Sequence, residues 1–334
     1  MRRWMLVACV LTMPLMLHAI SETDFIKDWQ QRVGPYVDGR AVTGDIAAEG
    51  GVTLRWRAVE QPSARAAIIL VGGHAESFYK YSELFYDLRD MGLSIYALDP
   101  RGQGASQHLL SDPEKSHVER WQDYVSDLKL FVDTVVKPRA GCLLIGMGHS
   151  LGGGIMAAYL EAFPGDFDSA ILSSPFLGHR AGGAAFVLLG LLDLFGGRSY
   201  VAGGGPFRFT AFEQNKETHS MARHDRKFQD YTDHPEIRMG DPTVHWMMET
   251  RGMMRSIQAG AGAVACPTLV FQAGEDAYVD GRATEEFCEK VRDCRRVFIP
   301  EARHELLIES DAIRDRVLAG IQAFITSRSG AGGG

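Results

Sequence analysis

The chain alternates short apolar runs with longer stretches in which apolar residues recur at helical spacing. Ala66 to Val71 reads Ala-Ala-Ile-Ile-Leu-Val, with no polar side chain. A run apolar at every position, rather than at every second one, marks a strand buried on both faces. Leu93 to Leu98, the run that starts at Cys142, Ser169 to Ser174 and Pro267 to Gln272 have similar length and character. Between them, Tyr79 to Met91, Trp121 to Val136 and Ile155 to Phe163 read as helices. In the second, Val125, Leu128, Phe131, Val132 and Val135 fall on one face. Strands alternating with helices predict a parallel sheet covered on both faces.

Ahead of this pattern, Asp24 to Gln31 predicts a short helix. Val42 to Glu60 alternates weakly around Gly50-Gly51 and predicts an antiparallel hairpin. Near the end come a helix at Thr284 to Val291, a strand at Arg296 to Ile299 and a helix from Asp311 to Ile325. The Ser-Gly-Ala-Gly-Gly-Gly tail reads as disordered. The alternation breaks after Pro175. From Gly178 to about Arg255 there are helical pieces and loops but no buried-strand run, and an excursion that long inside one domain is usually functional. It includes the nearly all-apolar Ala184 to Phe195. From Pro206 to Arg255 it carries eight basic and eight acidic side chains, so charge there names no partner.

Residues 1–21 have the layout of a secretory signal. Arg2 and Arg3 precede the mostly apolar Trp4 to Leu17, and Ala19 or Ser21 suits a cleavage site. Pro14 and the short length argue against a membrane-spanning helix. An uncleaved anchor, or a start codon chosen too far upstream, are the other readings. The expected organisation is a signal-like or anchor segment at 1–21, a core at 22–178 and 256–328, a helical cap at 179–255 and a tail at 329–334. Export or membrane association is the expected location, with the cytoplasm as the alternative.

Composition adds exclusions. The 334 residues are 46% hydrophobic and 23% charged, enough for a large core. The net charge of −7, with no basic stretch, speaks against nucleic-acid binding. The five cysteines include no C-x-x-C pair. Cys142 and Cys266 read as core residues. Cys288 and Cys294 are a candidate disulfide in an exported protein and reduced thiols otherwise. No metal or cofactor is expected; His219 and His224 lack a convincing third ligand.

The chemistry centres on Gly148-His149-Ser150-Leu151-Gly152. A strand precedes it and a helix follows, the context of a nucleophile elbow with Ser150 at its apex. Glycine-rich nucleotide binding is the rival reading. Gly146-Met147-Gly148 and Gly152 lack the usual Gly-x-Gly-x-x-Gly spacing, yet Asp166 and Asp168 lie near the about 20-residue distance of a ribose-binding acid.

A serine hydroxyl needs a base, and the base an orienting carboxylate. In an open parallel sheet such groups sit beyond the carboxyl ends of strands. Asp276 follows the strand Thr268 to Gln272 after a glycine turn; Asp280, its competitor, lies further on. His304 follows the strand Arg296 to Ile299 and is the only histidine after His245. The order serine, acid, histidine then matches a hydrolase triad. The oxyanion donors expected are the backbone N–H groups of Leu151 and His74. The His74 imidazole is expected to face solvent, and Glu76 to brace its loop.

With these residues in place, the chain resembles the lysophospholipase and monoacylglycerol-lipase group of the α/β-hydrolase superfamily, often labelled serine aminopeptidase S33-like. The resemblance covers most of the chain from about residue 45. It rests on Gly72-Gly73-His74-Ala75-Glu76-Ser77, on Asp99-Pro100-Arg101-Gly102-Gln103-Gly104-Ala105-Ser106, on the elbow, on Gly274-Glu275-Asp276 and on Arg303-His304-Glu305. Asp230 to Trp246 also resembles bacterial lysophospholipase L2-like proteins. Gly72 departs from the pattern, standing where many relatives have histidine. The resemblance implies an α/β-hydrolase fold, a mostly parallel sheet with a helical cap inserted before the acid-bearing strand. It also implies two-step acyl transfer on a lipid ester; an esterase or aminopeptidase-like hydrolase of a non-lipid substrate, and a non-catalytic binding protein on the same fold, are the alternatives. The apolar Ala184 to Phe195 stretch favours an acyl chain or a membrane surface, contacted through the cap and N-terminus.

Overall fold

The computed structural model describes residues 19–180, 183–194 and 196–329. The signal-like reading thus falls almost wholly outside the described residues, as do Phe195 and residues 330–334 of the tail. Helical turns that include α1 (Phe25–Asp28) and α2 (Gly34–Asp38) lead into the expected hairpin, β1 (Ala41–Ala47) and β2 (Thr53–Val59). Then follow β3 (Ala66–Val71), α3 (Ser82–Asp87), β4 (Leu93–Leu98), α4 (Trp121–Phe131) and α5 (Lys137–Ala140). The elbow strand is β5 (Leu143–His149), followed by α6 (Leu151–Ala162) and β6 (Ser169–Ser173). Helices α7 (Gly183–Asp193), α8 (Met221–Asp233) and α9 (Val244–Gly260) come before β7 (Thr268–Ala273), α10 (Gly281–Lys290), β8 (Cys294–Ile299) and α11 (Asp311–Ser329).

The eight strands form one sheet in the order β1-β2-β4-β3-β5-β6-β7-β8. β2 runs antiparallel to β1 and β4; all other neighbours are parallel. The chain steps outward from β3 to β4 and then returns to the other side of β3 with β5. The loops leaving β3 and β5 therefore diverge over one crevice, the place where open sheets bind ligands. One face of the sheet packs against α4, α6, α9 and α10 through Phe131, Ile155, Tyr159, Met253 and Phe287. The other packs against α3 and α11 through Phe85, Val317, Ile321 and Phe324.

Several element ends differ from the sequence reading by a few residues, α11 running on to Ser329 where the tail was expected to begin, and two differences have a clear cause. The elbow helix starts at Leu151 rather than Ile155, taking in Gly152, Gly153 and Gly154. Glycine disfavours helix, but here close packing selects it. The last strand starts at Cys294, because Cys294 and Arg295 pair with Thr268 and Leu269. Cys288 and Cys294 pack side by side as free thiols.

The excursion after β6 is fastened to the core at several points. Ser220, Thr243 and Asp280 cap the starts of α8, α9 and α10 with their side chains. Arg223 of α8 is buried and reaches Glu83 at 3.0 Å, the Glu309 carbonyl at 2.9 Å and the Ile20 carbonyl at 3.2 Å. Ile20 itself is buried with Phe25, Val33 and Tyr86, and the Ser21 hydroxyl donates to Asp311 at 2.8 Å. Beside Arg223, Arg314 pairs with Asp87 and with Glu83.

Burial pushes the Asp87 carboxyl up to about 6 even with Arg314 beside it. Arg314→Met should cost about 3–5 kcal/mol in denaturant unfolding at pH 8, because a buried carboxylate loses its partner. The raised folded-state value means that protonation favours the native state. Without Arg314 that value rises further, so the loss should shrink as pH falls toward about 6.

Candidate active site

The elbow is built by steric exclusion. Ser150 has φ 49° and ψ −118°, a strained conformation for a residue with a side chain. A Cβ on Gly152 would lie 2.1 Å from the Val71 carbonyl oxygen, and one on Gly148 would lie 2.4 Å from the Gly152 oxygen. Only glycine lets α6 approach β3 so closely. The turn is locked by the Ser150 N–H donating to the Ser173 carbonyl at 3.0 Å and the Phe176 N–H donating to the Ser150 carbonyl at 2.8 Å.

The loops after β7 and β8 bring their predicted residues to this serine. His304 Nε2 lies 2.9 Å from Ser150 Oγ, and His304 Nδ1 lies 2.7 Å from Asp276 Oδ2. All three residues are buried. The second oxygen of Asp276 accepts the N–H groups of Tyr278 at 2.8 Å and Val279 at 2.9 Å. Burial works against the Asp276 charge, but the hydrogen bond to His304 and these two N–H groups hold its carboxyl below the usual range. Burial also works against an imidazolium at His304. The hydrogen bond and charge of Asp276, with Glu305 and Glu76 behind it, nonetheless raise His304 above the ordinary 6.5. Asp280, the competing acid, instead caps α10 through the Arg282 N–H at 3.1 Å.

The nucleotide reading fails on position. Asp168 accepts the Leu144 N–H at 2.8 Å, and Asp166 pairs with Lys137 at 2.7 Å. Both stand by the beginning of β5, away from the glycines at its far end.

The oxyanion loop after β3 is held from several sides. Glu76 accepts the Gly73 N–H at 2.6 Å, as its bracing role required, so the Gly73 donor is already committed. Gln103 donates to the Gly73 carbonyl at 2.7 Å. Asp99 accepts the Ser77 hydroxyl at 2.5 Å, the Phe78 N–H at 2.7 Å and the Ala105 N–H at 2.8 Å. Burial lifts the Asp99 carboxyl to about 7. The Asp99 to Ser106 motif is thus a brace for this loop. Leu151, opening α6, presents one of the N–H groups that have no partner within a helix.

One expectation is corrected. The His74 imidazole does not face solvent; its Nε2 lies 2.7 Å from Ser116 Oγ and its ring packs against Trp246 at 4.8 Å. Burial lowers its pKa to about 4, so the ring is neutral at pH 7. Bulk explains this: the excursion after β6 folds back over the loop and covers it, which local sequence does not encode. Other histidines of that excursion make structural contacts. His245 lies 2.9 Å from Asp193 and joins α9 to α7, His219 lies 2.8 Å from Glu309, and His234 stacks on Tyr79.

Sequence reasoning named Glu76 as a brace but missed the cluster it forms with His149, Lys80 and Glu305. Glu76, His149 and Glu305 bring potential ligand atoms within 4.8 Å of one another. Lys80 pairs with both carboxylates, its Nζ 2.6 Å from Glu76 and paired also to Glu305. An ammonium thus already neutralises the two carboxylates of this group. The i,i+4 spacing of Glu76 and Lys80 was a visible signal, but nothing local pointed to Glu305. A cavity of about 480 Å³ opens beside the loop, its wall including His74, Ala75, Phe207, Lys227, Phe228 and Tyr231.

Sheet order, elbow and loop positions define an α/β hydrolase. The serine aminopeptidase S33 family model matches residues 62–311, and the chain belongs to that family. It is 33% identical to lysophospholipase L2 of Escherichia coli K12 over 329 residues, covering 92% of this chain and 97% of that one. It is 25% identical to the monoacylglycerol lipase of Mycolicibacterium smegmatis, over 84% of this chain and 96% of that one. Among solved structures, a soluble variant of Saccharomyces cerevisiae monoglyceride lipase with a substrate analogue superposes with TM-score 0.68. That match has 17% identity and covers 85% of this chain and 94% of that one.

Two outcomes follow from the geometry. Asp276→Asn should lower kcat by about 10⁴-fold, since the histidine loses its orienting carboxylate. In the intact enzyme the base must be neutral, so kcat/KM should fall as pH drops through a limb lying above 6.5. A pH–rate profile on a soluble ester checks both.

Proposed function

We propose that this chain hydrolyses carboxylic esters of lipids, lysophospholipids or monoacylglycerols, through an acyl-enzyme on Ser150. The observation that carries the reading is the unbroken hydrogen-bonded line from Ser150 Oγ through His304 to Asp276. Ser150 Oγ attacks the ester carbonyl while His304 Nε2 takes its proton. Asp276 stabilises the imidazolium that forms. The tetrahedral oxyanion faces the N–H groups of His74 and Leu151, and His304 then protonates the departing alcohol. Water, deprotonated by the same histidine, attacks the acyl-enzyme and releases the fatty acid.

The segment between β6 and β7 serves as the cap that selects substrate. Val187, Leu188, Leu191 and Leu194 in and just after α7 are exposed, Leu194 at 80%. An exposed apolar stripe of this kind suits contact with a lipid surface. Exposed Ile26 lines the groove between the N-terminal turns and α8 and extends the same reading to the N-terminus. With the signal-like start, this supports an exported or membrane-associated protein.

Hydrolysis of lysophosphatidylcholine, a monoacylglycerol and an aminoacyl amide should be compared side by side. The lipid esters should be preferred; preference for the amide would favour a peptidase, as the family's description allows. Ser150→Ala should lose about 10⁶ in turnover and all labelling by a fluorophosphonate. A Leu188→Glu, Leu191→Glu double variant should lose activity on vesicle-borne substrate and keep it on a soluble short-chain ester.

A further inference from the structure

Behind His304 lies a buried charge cluster that the reaction as drawn does not use. Glu305 follows His304 in the chain, and its carboxylate meets Lys80 rather than solvent. His149 Nε2, from the elbow strand, stands 3.1 Å from Glu305 and 3.5 Å from Glu76. His149 Nδ1 faces the Ser173 carbonyl at 3.2 Å. Lys80 joins Glu305 to Glu76, and Glu76 holds the Gly73 N–H and the Tyr81 hydroxyl. From α8, Lys227 Nζ lies 3.8 Å from Glu305 and 2.6 Å from Glu217. The Glu217 carbonyl also accepts the Glu305 N–H at 2.8 Å. One carboxylate thus touches the histidine loop, the segment that braces the oxyanion loop, the elbow strand and the covering helix.

Stability does not account for such an arrangement. Burying several charges costs desolvation that their attraction only roughly offsets, and apolar residues of the same volume would often serve as well. A satisfied ionic cluster does impose one geometry, because each member is penalised when it loses its partners. The two loops it joins are far apart in sequence, and each carries one half of the chemistry: the base on one, an oxyanion donor on the other.

We propose that Lys80 and Glu305 form a positioning clamp, which holds His304 and the His74 N–H in one register and places a negative charge against the His304 imidazole. The proposal rests on the esterase reading of Ser150. Several charged or titratable groups surround His304 or the Glu305 carboxylate beside it. Asp276 and Tyr278 come from the loop after β7, Glu305 from its own loop and His149 from β5. Glu76 and Lys80 lie on the segment after β3, and Glu217 and Lys227 on the α8 side. Tyr278 and His149 touch the ring with centroids 5.1 and 5.0 Å away. Removing the Glu305 charge weakens the imidazolium, and removing the Lys80 charge strengthens it.

The test uses the full-length protein with a monoacylglycerol and a soluble p-nitrophenyl ester. Glu305→Gln and Lys80→Met should each lower kcat by about 10²-fold, with KM on the soluble ester nearly unchanged, as misplaced catalytic groups do. Their acid limbs should move in opposite directions, by up to ~1 pH unit: downward for Glu305→Gln and upward for Lys80→Met. Glu305→Asp keeps the charge and shortens the arm, so kcat should fall while the limb stays. Fluorophosphonate labelling of Ser150 and a cooperative melting transition establish that each variant is folded. If one variant fails to fold, the other two still separate charge from reach. Folded variants with wild-type kcat and limb, or losses confined to melting temperature, would overturn the clamp and leave the esterase standing. A folded wild type inactive on every ester would overturn both.

Discussion

The site depends on a contact between two backbones. α6 begins so close to the end of β3 that an added carbon at Gly152 would lie 2.1 Å from the Val71 oxygen. That approach forces the turn at Ser150 into positive φ and lifts its hydroxyl to the carboxyl edge of the sheet. It also puts the elbow beside the loop that leaves β3, so Ser150 and the backbone N–H groups of that loop share one crevice. Relaxing this contact would cost the relation between the two loops as well as the strain at one residue.

Around that contact the molecule keeps polar groups buried and paired. Asp99, Gln103 and Glu76 hold the β3 loop from three directions. Asp276, itself fixed by two backbone N–H groups, holds His304. Arg223 and Arg314 bind α8, α11 and the N-terminal turns to α3. Each network costs desolvation, and each sits where a loop must not drift. The apolar core on the two sheet faces supplies most of the stability; these networks supply registration.

The buried strands, and the Ser150, His304 and Asp276 that the fold brings into hydrogen-bond reach, were legible because their signals are local. Ala66 to Val71 could hardly be anything but a doubly buried strand, and the predicted bounds of β3 and β4 match the observed ones. Asp276 and His304 followed from one rule, that catalytic groups stand just past strand ends, together with chain order. Where the reading missed, the cause was distant packing. The helix start at Leu151 defies three glycines because β3 lies against it, and the His74 ring is half-buried because Ser116 and Trp246, remote in sequence, pack against it.

The sequence by itself determined the alternation of strands and helices, the elbow and the order of the three triad residues, because hydrophobic periodicity and glycine sterics act over a few neighbours. Tertiary structure alone decided that Asp280 is a helix cap, that Asp166 and Asp168 serve the opposite end of β5, and that Glu305 meets Lys80. Those assignments turn on which charges come within a few ångströms after the chain has closed. Coulomb and hydrogen-bond partners are chosen by distance in space, and separation along the chain carries almost no information about it.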